Sequence, residues 1–206
     1  MNALSATFHL THHCNLRCTY CYTGEKRPLA MSYDTIDQSI AFIEKELEKV
    51  KTNQLHVTFF GGEPLIEKEK IFYIIDAFAK KDGLKVDYRM STNGTLLTEA
   101  LMQKLYAHGV FVSLSIDGHP DVHDAHRRDA GGKPTSHKVE KAAEIMLRYN
   151  PATNVTCVLS PDTASQLCES VDYIFNLGFR YITTTLDYSA DWQVEHFAVL
   201  KKSYQK

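Results

Sequence analysis

The chain has 206 residues, enough for one domain with a proper hydrophobic core, and its 44% hydrophobic and 23% charged residues are those of an ordinary globular protein. A formal net charge of -2 argues against nucleic acid or anionic membrane as the main partner, and a local pair such as Arg127-Arg128 does not change that. No apolar run approaches the roughly 18 residues of a membrane span, and Met1-Asn2-Ala3-Leu4-Ser5 lacks the basic and apolar regions of a signal peptide. The cysteines are clustered or single rather than a disulfide framework, so a reducing cytoplasm is the expected setting.

In chain order, Ser5 to Thr11 reads as a short strand leading into a cysteine-rich loop. Ser32 is an N-cap for a helix whose Tyr33, Ile36, Ile40, Ile43, Leu47 and Val50 recur at helical spacing. Leu55 to Phe60 is a strand with a Gly-Gly ending. Ile71, Ile74, Ile75 and Phe78 mark a helix that ends near Gly83. The unit then repeats. Val86 to Met90 is a strand, Thr98 caps a helix through Leu101 and Leu105 to Gly109, and Val110 to Ile116 is a strand. After a loop, a helix spans about Ser136 to Tyr149, and Asn154 to Leu159 is the fifth strand. Ser160-Pro161-Asp162 opens a helix that buries Ala164, Leu167, Val171, Ile174 and Phe175 and closes at Gly178. Phe179 to Thr184 is the sixth strand, and an amphipathic segment carries Trp192, Phe197 and Leu200. Such alternation predicts a parallel sheet with helices outside, as an open doubly wound sheet or a barrel, and periodicity does not choose between them.

The loop His12-His13-Cys14-Asn15-Leu16-Arg17-Cys18-Thr19-Tyr20-Cys21-Tyr22 holds three of the five cysteines, spaced Cys-x3-Cys-x2-Cys. Three thiolates can grip three corners of a cubane iron–sulfur cluster and leave one iron open for a substrate. Two blander readings stand beside this. His12 or His13 could complete a structural zinc site. A disulfide would leave one cysteine over, and such tight spacing rarely suits its geometry.

Cys14-Asn15-Leu16-Arg17-Cys18-Thr19-Tyr20-Cys21 closely resembles the cluster loop of the radical S-adenosylmethionine (SAM) superfamily. The resemblance implies that Cys14, Cys18 and Cys21 bind a [4Fe-4S] cluster whose open iron takes the amino and carboxylate groups of SAM. Tyr20 is part of the same pattern. The implied fold class is α/β, a partial (β/α)6 TIM-like barrel with parallel strands and outer helices, with residues 1–206 as one radical SAM core domain.

In a parallel βα array active sites lie at the carboxyl ends of the strands, and the unusual residues fall there in sequence. Gly61-Gly62-Glu63-Pro64 follows strand two; its glycines let backbone approach a ligand, with a tight turn as the plain alternative. In the family this stretch lies against the amino group of SAM, and Glu63 could help through charge. Ser91 and Asn93, in Ser-Thr-Asn-Gly after strand three, could hydrogen-bond a ribose or carboxylate, or simply make a turn. Ser115 and Asp117 match the Ser-Ile/Leu-Asp-Gly stretch of peptide-modifying members, and His123-Asp124-Ala125-His126-Arg127 matches their His-Asp-x-x-Arg. The resemblance makes Ser115 and Arg127 candidates for the SAM carboxylate, against a solvated surface charge for Arg127. Asp117 orients a neighbouring loop or faces substrate, and the sequence does not separate these. His9 and His56 read as packed or edge residues, His12 and His13 could tune a cluster through its sulfurs, and Cys157 and Cys168 read as ordinary thiols.

The implied chemistry is reductive cleavage of SAM to a 5′-deoxyadenosyl radical that abstracts hydrogen from a substrate. The motif set is closest to sulfatase-maturating enzymes and maturases of ribosomal peptides, which implies a peptide or protein substrate and an external flavodoxin- or ferredoxin-like electron donor. A small metabolite or nucleotide is the alternative substrate, and a zinc-stabilised binding module the alternative class. Those relatives usually carry a C-terminal cysteine-rich region with auxiliary clusters. Here no cysteine follows Cys168 and the sequence ends at Lys206, so a piece lacking that region is expected and no catalytic base is assigned.

Overall fold

The computed structural model describes residues 3–205; Met1, Asn2 and Lys206, cited above at the ends of the sequence, lie outside the described residues. Six strands, β1 (Leu4–His9), β2 (Gln54–Phe60), β3 (Lys85–Thr92), β4 (Val110–Ser115), β5 (Asn154–Leu159) and β6 (Tyr181–Leu186), form one sheet in the order β1-β2-β3-β4-β5-β6. The registers of β1 on β2, β2 on β3, β4 on β5 and β5 on β6 are all parallel. A doubly wound sheet reverses its strand order at a switch point. This order never reverses, so the fold is the partial (β/α)6 TIM-like barrel type. The crossover helices are α1 (Tyr33–Val50), α2 (Lys68–Ala79), α3 (Glu99–Ala107), the pair α4 (Pro120–His126) and α5 (Ser136–Tyr149), and α6 (Leu167–Leu177); α7 (Val194–Ser203) follows β6.

Local signals explain the ends. The Ser32 hydroxyl accepts the Thr35 amide at 3.0 Å and starts α1, and Lys51 in the left-handed region (φ 53°) stops it. The buried stripe of α1 is Ile36, Ile40, Ile43 and Leu47, while Tyr33 and Val50 at its ends stay largely exposed. Thr98 caps α3 by accepting the Leu101 amide at 3.2 Å.

The chain divides into two compact units. One holds the residues up to Cys14, Glu25–Thr92 and Gln103–Val112; the other holds Asn15–Gly24, Asn93–Met102 and Ser113 onward. The first unit buries Phe8, Val57, Phe59 and Met90 from its strands and Ile71, Ile74 and Phe78 from α2. In the second, Cys157 and Leu159 of β5 pack with Ala164, Leu167 and Leu200, and Ile182, Leu186 and Trp192 lean on that cluster. Cys157 is therefore a core residue, as expected, and burial pushes its thiol up to about 12.

Three details differ from the sequence reading. The stretch expected as a loop after β4 contains α4, opened by Pro120 at its first position. The helix expected from Pro161 runs as turns and a 3-10 segment, Ala164–Gln166, before α6 begins. Phe175 is 41% exposed, because Ile174 takes the inward position of that turn.

Candidate active site

In the first unit, the segment leading to Cys14 is locked to the turn after β2. Gly62 N donates to Thr11 O at 2.7 Å, and Glu63 N donates to His13 O at 3.0 Å. A Cβ added at Gly62 would stand 2.3 Å from His13 O, and one at Gly61 would stand 2.5 Å from Thr11 O. Gly61 also has φ 146°, which side chains avoid. The close approach these glycines permit is thus to the chain's own backbone, at the entry to the cysteine loop.

Glu63 is 1% exposed, and its Oε1 accepts the Leu65 amide (3.0 Å) and the Thr92 hydroxyl (2.7 Å). It caps the 3-10 segment Pro64–Glu67 and ties it to the end of β3. Ser91, one residue earlier on β3, is half-buried.

In the second unit, the rest of the cysteine loop runs beside the segment after α4. Arg17 N donates to Arg128 O at 2.8 Å, Ala130 N to Asn15 O at 3.0 Å, and Thr19 N to His126 O at 3.1 Å. Leu16 pairs antiparallel with Asp129. Asn93 and Asn15 fix the start of the loop: Asn93 Nδ2 donates to Asn15 Oδ1 at 3.0 Å, and Asn15 Nδ2 donates to Thr95 Oγ1 at 2.7 Å.

The centre of this unit is a buried carboxylate. Asp117 is 0% exposed and stands two residues beyond β4. Its Oδ1 accepts the Val158 amide of β5 at 2.9 Å. Its Oδ2 accepts Arg127 Nε at 2.9 Å and the Tyr20 hydroxyl. The Arg127 guanidinium lies 5.3 Å from the centre of the Tyr20 ring. Burial pushes the Tyr20 hydroxyl well up, so it stays protonated and remains a donor. Burial alone would lower Arg127, but Asp117 overrides it and holds the guanidinium above its ordinary value. Arg127, 7% exposed, is therefore a buried, paired cation and not a solvated surface charge. Ser115, the last residue of β4, is half-buried.

The His-Asp-x-x-Arg stretch acts largely on structure here. Asp124 Oδ1 accepts the amides of Thr135 (2.7 Å) and Ser136 (2.9 Å) and so caps α5. Those bonds, with one from the Ser136 hydroxyl, outweigh partial burial and lower its carboxyl. His123 Nε2 shares a hydrogen bond with Thr135 Oγ1 at 3.1 Å, and Thr135 Oγ1 donates to Arg127 O at 2.5 Å. Burial, reinforced by Arg127, lowers His123 to about 4 and keeps it neutral. His126 touches the cysteine loop directly, with Nδ1 2.7 Å from Thr19 Oγ1. The sequence reading did not single out His126 or Thr19; the only signal was that the loop and the His-Asp-x-x-Arg stretch were both unusual.

In the cysteine loop Cys14 is buried and Cys18 and Cys21 are partly so, a donor set that fits thiolate-bound iron. Among the described residues no three His, Cys, Asp or Glu side chains gather round one ion. Thiolates on a cubane each take a different iron and need not do so.

The model of the radical SAM superfamily matches residues 8–174. The chain belongs to that superfamily. It is 29% identical over 175 residues to the cysteine-type anaerobic sulfatase-maturating enzyme of Clostridium perfringens (strain 13 / Type A), covering 82% of this chain and 47% of that protein. It is 31% identical over 192 residues to the radical SAM cyclopropyl synthase TigE of Paramaledivibacter caminithermalis, covering 86% of this chain and 40% of that protein. The chain thus spans about half the length of these relatives or less. Its fold matches that of native anSMEcpe with bound AdoMet and Cp18Cys peptide at a TM-score of 0.85 and 24% identity, over 99% of this chain and 59% of that one. No helix among the described residues is long and apolar enough to cross a membrane.

Proposed function

We propose that this chain is the radical SAM core of an enzyme that modifies a peptide or protein. The observation that carries the reading is the cysteine loop: Cys14, Cys18 and Cys21, in Cys-x3-Cys-x2-Cys spacing, lie inside the stretch that matches the superfamily. These three would hold a [4Fe-4S] cluster. Once bound, that group supplies the electron that breaks a C–S bond of SAM, giving methionine and a 5′-deoxyadenosyl radical for hydrogen abstraction. The electron comes from an external one-electron carrier, and the cytoplasm is the compartment that keeps the thiols reduced.

The chain's own residues contribute shape and charge. Gly61 and Gly62 hold the entry to the loop close to the β2 turn, and Glu63 and Pro64 stiffen that turn. Tyr20 is braced by Asp117. Tyr20, Gly61, Gly62, Glu63, Pro64, Ser91, Asn93, Ser115 and Arg127 form the proposed SAM-facing set. Within it Glu63, Asn93 and Arg127 already serve partners in the chain, so they would act on SAM through the backbone they position or through charge. The peptide reading is supported by relatives that mature sulfatases and by a neighbouring fold solved with a peptide bound.

The test is anaerobic reconstitution with iron and sulfide, then dithionite and SAM, with 5′-deoxyadenosine measured. The expected result is about four irons per chain and 5′-deoxyadenosine, both lost in Cys18→Ala. Zinc bound in place of iron would overturn the reading.

A further inference from the structure

The function proposed above, on which this inference rests, requires Cys18 and Cys21 to reach one group together. They stand at the two ends of a single turn: Cys21 N donates to Cys18 O at 3.2 Å, with Thr19 and Tyr20 between them. Glycine, proline, asparagine and aspartate favour the middle of a turn, each for its own conformational reason, and neither middle residue here is one of them. Thr19 is also exposed, so packing does not hold it. The turn takes its shape from a support outside itself.

His126, the last residue of α4, reaches both middle residues and is itself only 8% exposed. Its carbonyl accepts the Thr19 amide at 3.1 Å, and its Nδ1 lies 2.7 Å from Thr19 Oγ1. Its ring centre is 5.6 Å from that of Tyr20. Across the ring, Nε2 stands 3.3 Å from Asp162 Oδ1, within ion-pair range but without the alignment of a hydrogen bond. With the ring proton on Nε2, beside that carboxylate, Nδ1 is the acceptor and the Thr19 hydroxyl the donor. The Tyr20 hydroxyl is engaged by Asp117, so the two middle residues have separate polar anchors.

We propose that His126 is a positioning residue for the cysteine loop: by holding Thr19 through its carbonyl and its Nδ1, it fixes the turn that brings the Cys18 and Cys21 thiols to one group. The carbonyl bond needs only that α4 ends at this place, and it survives a change of side chain. The Nδ1 bond needs an acceptor at position 126, so the side chain carries the part of the role that substitution can remove and restore.

The experiment alkylates the reduced, cluster-free chain with iodoacetamide under anaerobic conditions and follows each cysteine by mass spectrometry; trypsin cuts after Arg17 and so separates Cys14 from Cys18 and Cys21. His126→Ala is expected to quicken alkylation of Cys18 and Cys21 by about fivefold, the worth of one hydrogen bond, with Cys14 unchanged. His126→Asn, which keeps an acceptor oxygen on a short planar side chain, is expected to restore the wild-type rates. Thr19→Val should match His126→Ala, and the double variant should add nothing further. After reconstitution with iron and sulfide and gel filtration, His126→Ala should retain less iron than the wild type and His126→Asn as much. Unchanged alkylation or unchanged iron retention in His126→Ala would overturn the proposal. So would a rise shared by Cys14, which would make His126 a general support of the fold, a double variant in which the two effects multiply, or no rescue by asparagine. If the wild type itself takes up no iron, the proposed function fails, and the alkylation rates of the cluster-free chain still decide the role of His126.

Discussion

Two regions, one in each unit, each hold a part of the cysteine loop, and they are built by opposite means. Gly62 and Glu63 are held to Thr11 and His13 by main-chain hydrogen bonds, at a spacing that excludes a Cβ at Gly61 or Gly62. The centre at Asp117 is held by side chains, with one carboxylate serving Tyr20, Arg127 and the backbone of β5. The Gly61–Gly62 approach is a steric device. The second is electrostatic, and its members depend on one another because each is buried among the others. The cysteine loop is thereby fixed in shape at its entry and in charge further along.

Breaking the electrostatic region should have the largest effect. Asp117→Ala leaves the Arg127 guanidinium buried without its partner and should cost about 3–5 kcal/mol. Urea unfolding measures this, and the double variant Asp117→Leu/Arg127→Met should recover much of the loss. If it does not, the pair is not the reason Asp117 matters. The steric region comes next: Gly62→Ala drives a methyl into the His13 carbonyl and should cost about 3 kcal/mol, with no dependence on salt. A Gly62→Ala protein as stable as the wild type would show that the turn can open.

A pH series sharpens the contrast. The unfolded chain takes up a proton on His123 near its ordinary value of 6.5, whereas the folded chain refuses it until about pH 4. Stability should therefore fall as pH drops through that window, by up to about 3 kcal/mol. The urea midpoint of His123→Gln should change less between pH 7 and pH 4.5 than that of the wild type. The smallest effect expected is that of Tyr20→Phe, which removes one hydrogen bond to Asp117 and should cost about 1–2 kcal/mol. In that variant the alkylation of Cys18 and Cys21 in the cluster-free chain should quicken while that of Cys14 does not.

The order of elements could be read directly, because each strand ends in a polar or glycine-rich stretch and each long helix carries a periodic apolar stripe. α4 could not, since Val122 is its only large apolar side chain and seven residues give no period to detect. The 3-10 lead into α6 escaped for a related reason, as Pro161 at a start position suits a helix and a turn equally. Glu63 was visible as a charged residue in a motif, but its work as a buried cap depends on Thr92, a residue 29 positions away.

By itself the sequence determined the βα repeat, the three-cysteine loop and hence the superfamily, because those signals are local: periodicity, capping, and cysteine spacing within eight residues. The tertiary structure alone decided what the motif residues touch. Gly62 meets His13, and Asp117 meets Tyr20, Arg127 and Val158, across separations of up to 97 residues that no spacing rule can bridge. A buried hydrogen bond or a missing Cβ has meaning only once its partner is known, and the fold supplies the partner.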